Sequence, residues 1–259
     1  MKAKRITSLI LALALALSLC LTGCGNQGGD TQEPAGDSTG SDDATYTVGI
    51  CQLVQHDALD AATSDIPILG TSVTAYGVAL DMDDFTGTVG GNISGTSDLA
   101  DLEKQAAMIT EWFPETKKVA LLFCSAEPNS RYQIEEVAKY LADAGIETEE
   151  YAFTDTNDVA SVAQAACDYA DVIYIPTDNT AAANTEAIAN VLIPAGVPAI
   201  CGEEGLCSGC GVATLSISYY DLGKTTGQMA AKILTGEADI STMPIEYTTA
   251  TPQVQSHHL

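Results

Sequence analysis

Between residues 118 and 236 the chain alternates short, unbroken apolar runs with amphipathic stretches, and that alternation restricts the fold more than any other feature. Val119-Ala-Leu-Leu-Phe-Cys124 carries no polar residue at every second position. Such a run is expected of a strand covered on both faces. Ser130 then offers a helix cap, Ile134, Val137, Ala138 and Leu141 recur at helical spacing, and Gly145 is a stop. Residues 147–153 form a weaker strand. Asn157 offers a second cap, before Val159, Val162, Ala163 and Ala166. Strands at 171–175, 197–201 and 212–217 follow, with helices at 181–192 and 220–234, the last ended by Gly236. Strands that alternate with helices of this length predict a doubly wound parallel sheet. Right-handed crossovers put every strand-to-helix loop on one edge, outside the carboxyl ends of the strands, where such sheets bind ligands.

A helix precedes this block. Leu99, Leu102, Ala106, Ile109 and Trp112-Phe113 form its apolar stripe, Ser97 or Asp98 its cap, and Pro114 its end. Residues 45–97 read differently, as strands at 46–54, 66–73 and 92–96. The eleven residues 55–65 are fewer than a helical crossover needs. The expected organisation is a leader over 1–23, a linker over 24–44, a thin first α/β lobe over 45–97, a full second lobe over 98–236 and a C-terminal strand and tail over 237–259.

Lys2, Lys4 and Arg5 precede a small-apolar run from Ile6 to Cys20, which ends in Leu21-Thr22-Gly23-Cys24. About 15 residues suit the hydrophobic region of a signal peptide and fall short of a span. The ending resembles a bacterial lipobox, so Cys24 is the expected lipidation site. Residues 25–44 are rich in Gly, Ser, Asp and Thr and read as a flexible tether. The chain is expected outside the cytoplasm, held to a bacterial cell membrane through Cys24.

The formal charge is −25, from 35 Asp and Glu against 10 Lys and Arg. That balance excludes nucleic acid as a partner, because phosphate recognition needs clustered cations. Six cysteines lie beyond Cys24, and Cys201, Cys207 and Cys210 fall close together. Burial, disulfides and a metal or thiol centre all stay open for them. His257 and His258 sit in the tail. No nucleophile elbow, Walker or zinc-protease pattern is present, so no catalysis and no cofactor are expected.

Loops at strand ends supply the candidate binding residues. An amino acid needs donors for its carboxylate and an anion for its ammonium. Asn129 with Ser130, and Asn179 with Thr180, stand at helix starts and could hold a carboxylate. Glu127 and Asp178 are candidate ammonium partners. His56, Thr74 and Glu203 complete the set, and Tyr76 could stack on an aromatic ligand. Ser130 as a simple cap and Asp178 as a turn former are the structural alternatives.

Several motifs in order resemble a known family. Tyr46-Thr-Val-Gly-Ile-Cys-Gln-Leu-Val-Gln-His56, Asp65-Ile-Pro-Ile68, Gly90-Gly-Asn-Ile-Ser-Gly-Thr-Ser-Asp98, Ser125-Ala-Glu-Pro-Asn-Ser130, Pro176-Thr-Asp-Asn-Thr180 and Tyr219-Tyr-Asp-Leu-Gly-Lys224 resemble landmarks of bacterial ABC-transporter substrate-binding lipoproteins. The likeness is to the tryptophan- and tyrosine-type amino-acid binders. It implies a type I periplasmic-binding-protein-like fold, with doubly wound sheets in two lobes. It also implies a small-molecule solute and ABC permease subunits as partners. Helices and strands that the family's pattern would hold between Ala62 and Asp65 are absent, so the first lobe is expected to be truncated. Two other readings remain: a single-lobe interaction protein that no longer binds solute, and a cysteine-based metal or thiol protein.

Overall fold

The computed structural model describes residues 66–254, all within one compact unit. The expected strand at 46–54, His56, Cys24 and the 257–258 histidines lie outside the described residues.

The body is a six-stranded sheet. Its strands are β3 (Lys118–Cys124), β4 (Glu147–Phe153), β5 (Val172–Ile175), β6 (Ala199–Cys201), β7 (Ala213–Ser216) and β9 (Thr251–Val254), in the spatial order β4-β3-β5-β6-β7-β9. All neighbours are parallel except β9, which runs antiparallel to β7. Helices cover both faces. Ala120, Leu122 and Cys124 of β3 face one core layer with α4 (Val159–Tyr169), α6 (Thr185–Ala195) and α7 (Glu204–Cys210). Val119, Leu121 and Phe123 face the other, with α2 (Leu102–Trp112) and α3 (Pro128–Asp143). The unbroken apolar run in the sequence is thus two period-2 sets, one for each layer. The doubly wound sheet is as expected.

A second sheet has three strands, β1 (Ile68–Gly70), β2 (Ile93–Ser97) and β8 (Glu246–Tyr247), in that order and parallel throughout. The short helix α1 (Tyr76–Ala79) follows β1. The long helix α8 (Tyr219–Leu234) packs on β1 and β2. Residues 219–234, grouped in the sequence with the larger sheet, therefore lie on the smaller one. Thr226 on α8 fixes the contact: its hydroxyl lies 2.9 Å from that of Thr96 and donates to that of Thr71 at 3.0 Å. The chain passes between the sheets at 98–101, 217–218 and 248–250.

Several element ends differ from the expected ones. The cap of α2 is Asp101, which accepts from Lys104 N, and neither Ser97 nor Asp98 serves. Pro128 starts α3 behind Glu127, so Ser130 lies inside the first turn and is no cap. Asp158 replaces Asn157 ahead of α4. The single helix expected over 181–192 is α5 (Asn179–Ala183) followed by α6, broken at Asn184. Residues 204–210, expected as loop, form α7.

Candidate functional site

In the six-stranded sheet the chain moves from β3 outward to β4 and returns to β5 on the other side of β3. The loops after β3 and β5 therefore lead to helices on opposite faces of the sheet, at the switch point where doubly wound folds place their ligands. Glu127, Asn129, Ser130, Asp178, Asn179 and Thr180 all lie in these two loops or at the first turns behind them. Glu203 follows β6. Thr74 follows β1 of the smaller sheet, beside β2.

The two loops are tied to each other. Asp178 is almost fully buried; one oxygen accepts from Cys124 N and the other from Ala181 N, both at 2.7 Å. It caps α5 and clamps the end of β3, so both of its oxygens are engaged by backbone. Burial pushes its carboxyl upward, against the pull of those N–H donors. Thr177 O accepts from Asn129 Nδ2 at 3.1 Å, Ser130 Oγ at 3.4 Å and Gln133 Nε2 at 3.0 Å. Gln133 Oε1 takes Thr177 N in return. Gln133, which sequence reasoning missed, thus grips both backbone groups of Thr177.

Glu127 fills the donors of the other loop. Its carboxylate accepts from Asn179 N and Nδ2, both at 2.9 Å, from Thr180 N at 2.8 Å and from Thr180 Oγ1 at 2.7 Å. The expected ammonium partner and the expected carboxylate cradle hold one another in this structure. Because the cluster is half open to water, Glu127→Ala is expected to cost about 1–2 kcal/mol, against roughly 1 kcal/mol for one ordinary hydrogen bond. Urea denaturation measures it, and a change under about 0.5 kcal/mol would show that these bonds only replace water contacts.

Glu203 is turned inward as well. Its carboxylate accepts from Gly205 N at 2.6 Å and from Leu206 N, capping α7. Thr74 is buried, and its carbonyl accepts from Ser97 Oγ at 2.9 Å. Tyr76 is in the core beneath the smaller sheet, 2 % exposed, with its hydroxyl donating to Thr96 O at 3.4 Å. It is not placed to stack on a ligand.

Asp98 and Tyr219 were not among the expected site residues. Asp98 leaves β2 at the start of the first crossing segment, and the Tyr219 hydroxyl, from the first turn of α8, reaches its Oδ2 at 3.4 Å. The Tyr219 ring stays half-exposed and Tyr220 beside it is largely exposed. An acid directly after a strand reads in sequence as a helix cap, which hid Asp98.

Cys201, Cys207 and Cys210 are buried and free. Burial, with the charge of its acidic and thiol neighbours, pushes Cys207 up to about 12, and a hydrogen bond with Cys210 together with burial holds Cys201 well above its ordinary value. Such thiols resist the thiolate form that metal binding and nucleophilic chemistry need. Among the described residues, no group of three or more His, Cys, Asp and Glu could hold a metal ion. A cavity of about 750 Å³ opens at the opposite, amino-terminal edge of the sheet, between Trp112, Phe113, Leu192, Val197 and Val212. It lies away from the strand ends where doubly wound folds act, and none of the candidate residues lines it.

Comparison with known proteins follows the same lines. A sequence model of the ABC transporter substrate binding protein family matches residues 41–251. A curated tyrosine-binding protein of Clostridioides difficile is 29 % identical over 180 residues, covering 68 % of this chain and 51 % of the relative. The chain thus spans about half the length of that relative. Among solved structures, an ABC domain from Streptococcus pneumoniae in complex with L-Trp superposes with a TM-score of 0.72 at 27 % identity, over 78 % of this chain and 70 % of that one. A ligand-free, open substrate-binding protein with adhesive properties from Clostridium difficile gives 0.62 at 30 % identity, over 78 % and 68 %.

Proposed function

This chain belongs to the ABC transporter substrate-binding protein family, and from that premise we propose that it captures an amino acid outside the cytoplasm and presents it to an ABC permease. The family is one of solute binders, not enzymes. We read the three-stranded sheet with α8 as the smaller lobe and the six-stranded sheet as the larger. The solute would lie between them, at the carboxyl ends of both sets of strands. The three crossing segments would serve as the hinge on which the lobes close. Lipidation at Cys24 would keep the body at the membrane on the 25–44 tether.

One observation supports this reading most: loops from both sheets converge at the carboxyl strand ends. Thr74 and Asp98 follow strands of the smaller sheet, Glu127, Asp178 and Glu203 follow strands of the larger, and Tyr219 opens α8 just past the second crossing segment. The half-exposed ring of Tyr219 gives an aromatic solute a face to stack on. The solutes named for the two relatives make L-tyrosine and L-tryptophan the first to test. A ligand at about 100 times its Kd adds about 2.7 kcal/mol to folding stability. The melting temperature should therefore rise by several degrees with at least one of the twenty amino acids, as read by differential scanning fluorimetry. No shift with any of them would overturn the proposal.

A second reading has its own support. Glu127, Asn179 and Thr180 already satisfy one another, as they would in an interaction module that no longer closes on a solute. Small-angle scattering separates the two: a solute binder becomes more compact when its amino acid is added, and an interaction module keeps the same radius of gyration.

A further inference from the structure

Side chains from the segments after β1 and β7 meet Asp98 after β2, and the charge of Glu203 after β6 acts on it. Thr74 follows β1, Asp98 follows β2, Glu203 follows β6 and Tyr219 follows β7. Asp98 is at their centre and only 6 % exposed. The Tyr219 hydroxyl touches its Oδ2, the Thr74 side chain lies beside the carboxylate, and Oδ1 has no partner among the described residues. The titratable groups around it are Glu203, Tyr219 and Tyr76. None carries positive charge, and none of the ion pairs of the described residues involves Asp98.

A buried carboxylate with one unused oxygen and no cation is an unfavourable arrangement. The other acids of the site avoid it: Asp178, Glu127 and Glu203 spend both oxygens on N–H and O–H donors. Asp98 alone among these four keeps acceptor capacity in reserve. Burial, with the charge of Glu203 adding to it, pushes Asp98 up to about 6, against the Thr74 and Tyr219 hydroxyls. It is therefore still ionised at neutral pH, ready to accept from a donor that brings its own positive charge.

We propose that Asp98 is the ammonium acceptor of the solute site, so that the site takes zwitterionic amino acids and refuses the same molecule without its amino group. This rests on the solute-binding reading above and names the group that would enforce it. Asp98 opens the 98–101 crossing segment, so the charge pair would form at the joint between the two sheets.

The test is calorimetric titration of the full chain and of Asp98→Asn with L-tyrosine, L-tryptophan and 3-(4-hydroxyphenyl)propanoate, which is tyrosine lacking its amino group. The wild type should prefer the amino acid over the desamino acid by about tenfold or more. Asp98→Asn should lose about 10- to 100-fold toward the amino acid, as expected for a charge-assisted hydrogen bond, and change little toward the desamino acid. Wild-type affinity should fall as pH drops through about 6, where Asp98 takes up a proton, and the variant should not follow.

Melting without ligand shows that the variant folds. The ionised form is the one the folded state disfavours, so Asp98→Asn should melt no lower than wild type at neutral pH. Its advantage should shrink as pH falls from about 6 toward the ordinary aspartate value of about 4. Equal amino-acid affinity in both proteins, or equal weakening toward both ligand types, would overturn the inference while solute binding stands. The wild-type preference and pH profile decide the matter even if the variant fails to fold. Failure of the wild type to bind any amino acid would remove the solute-binding reading itself, and this inference with it.

Discussion

Gln105→Leu is expected to destabilise the protein by about 3–5 kcal/mol, a large part of the 5–15 kcal/mol that holds a typical fold. Gln105 is fully buried on α2 and binds three elements at once. Its Nε2 donates to Gly202 O at 3.1 Å and to Leu215 O at 2.9 Å, and its Oε1 accepts from the Tyr174 hydroxyl at 2.7 Å. Leucine keeps the volume and removes every bond, leaving two carbonyls and a phenol without a partner in a dry interior. Each orphan costs about 1–3 kcal/mol. Tyr174→Phe removes one donor and orphans only Gln105 Oε1, for about 1–2 kcal/mol. The double variant should cost less than the sum of the two, because the Tyr174 hydroxyl orphaned by the first change is deleted by the second. Urea denaturation of the three variants reads this directly. A Gln105→Leu protein within about 1 kcal/mol of wild type would mean that water enters and replaces the amide.

The second large effect belongs to Gly95, in the middle of β2. Its φ of +148° lies in a region that residues with a Cβ rarely adopt. A Cβ there would also press into the Gly70 carbonyl of the paired strand and into the Tyr76 hydroxyl. Gly95→Ala therefore forces β1 and β2 apart, at an expected cost above about 3 kcal/mol. Hydrogen exchange should show where the cost falls. Amides of 68–70 and 93–97 should lose protection while those of β3 and β5 keep it, because the larger sheet has its own two core layers. Gly91→Ala is the control. Its φ is +60° and a Cβ added there would meet no atom within 4 Å, so only the backbone cost of about 1–2 kcal/mol is expected. Equal effects from the two changes would contradict the steric argument.

The readable parts of the fold were those in which one physical signal acted alone. β3 and α3 were readable because burial on both faces, or on one stripe, leaves a period that nothing else mimics. α7 was hidden. Glu204-Gly-Leu-Cys-Ser-Gly-Cys210 has the composition of a loop, and its helix depends on the Glu203 cap and on packing of Leu206, Cys207 and Cys210 into the core. Tertiary context overrode propensity there. The break at Asn184 was equally invisible, since alanines continue across it. At the site, the loops were legible because strand ends mark them. What each polar group does there was not. Asp178 and Glu127 face backbone and side-chain donors some 50 residues away in sequence, and no local pattern encodes such a partner. Asp98 was missed for the converse reason: its importance lies in a bond it does not make.

The two strands nearest the end of the described chain also govern when the fold can finish. Ser94 on β2 donates to Met243 O, 149 residues away, at 3.0 Å. β8 then flanks β2, and β9 supplies the outer edge beside β7. Until residues 246–254 are available, β2 and β7, which are interior strands of the finished sheets, are themselves edge strands. Contacts this remote in sequence form slowly, because a long loop must close before any bond rewards it. A chain that emerges from its amino end therefore leaves the sides of β2 and β7 uncovered until almost all of residues 66–254 have emerged, and its last nine described residues act as the latch. Damage there should slow folding and promote edge-to-edge association of unfinished chains.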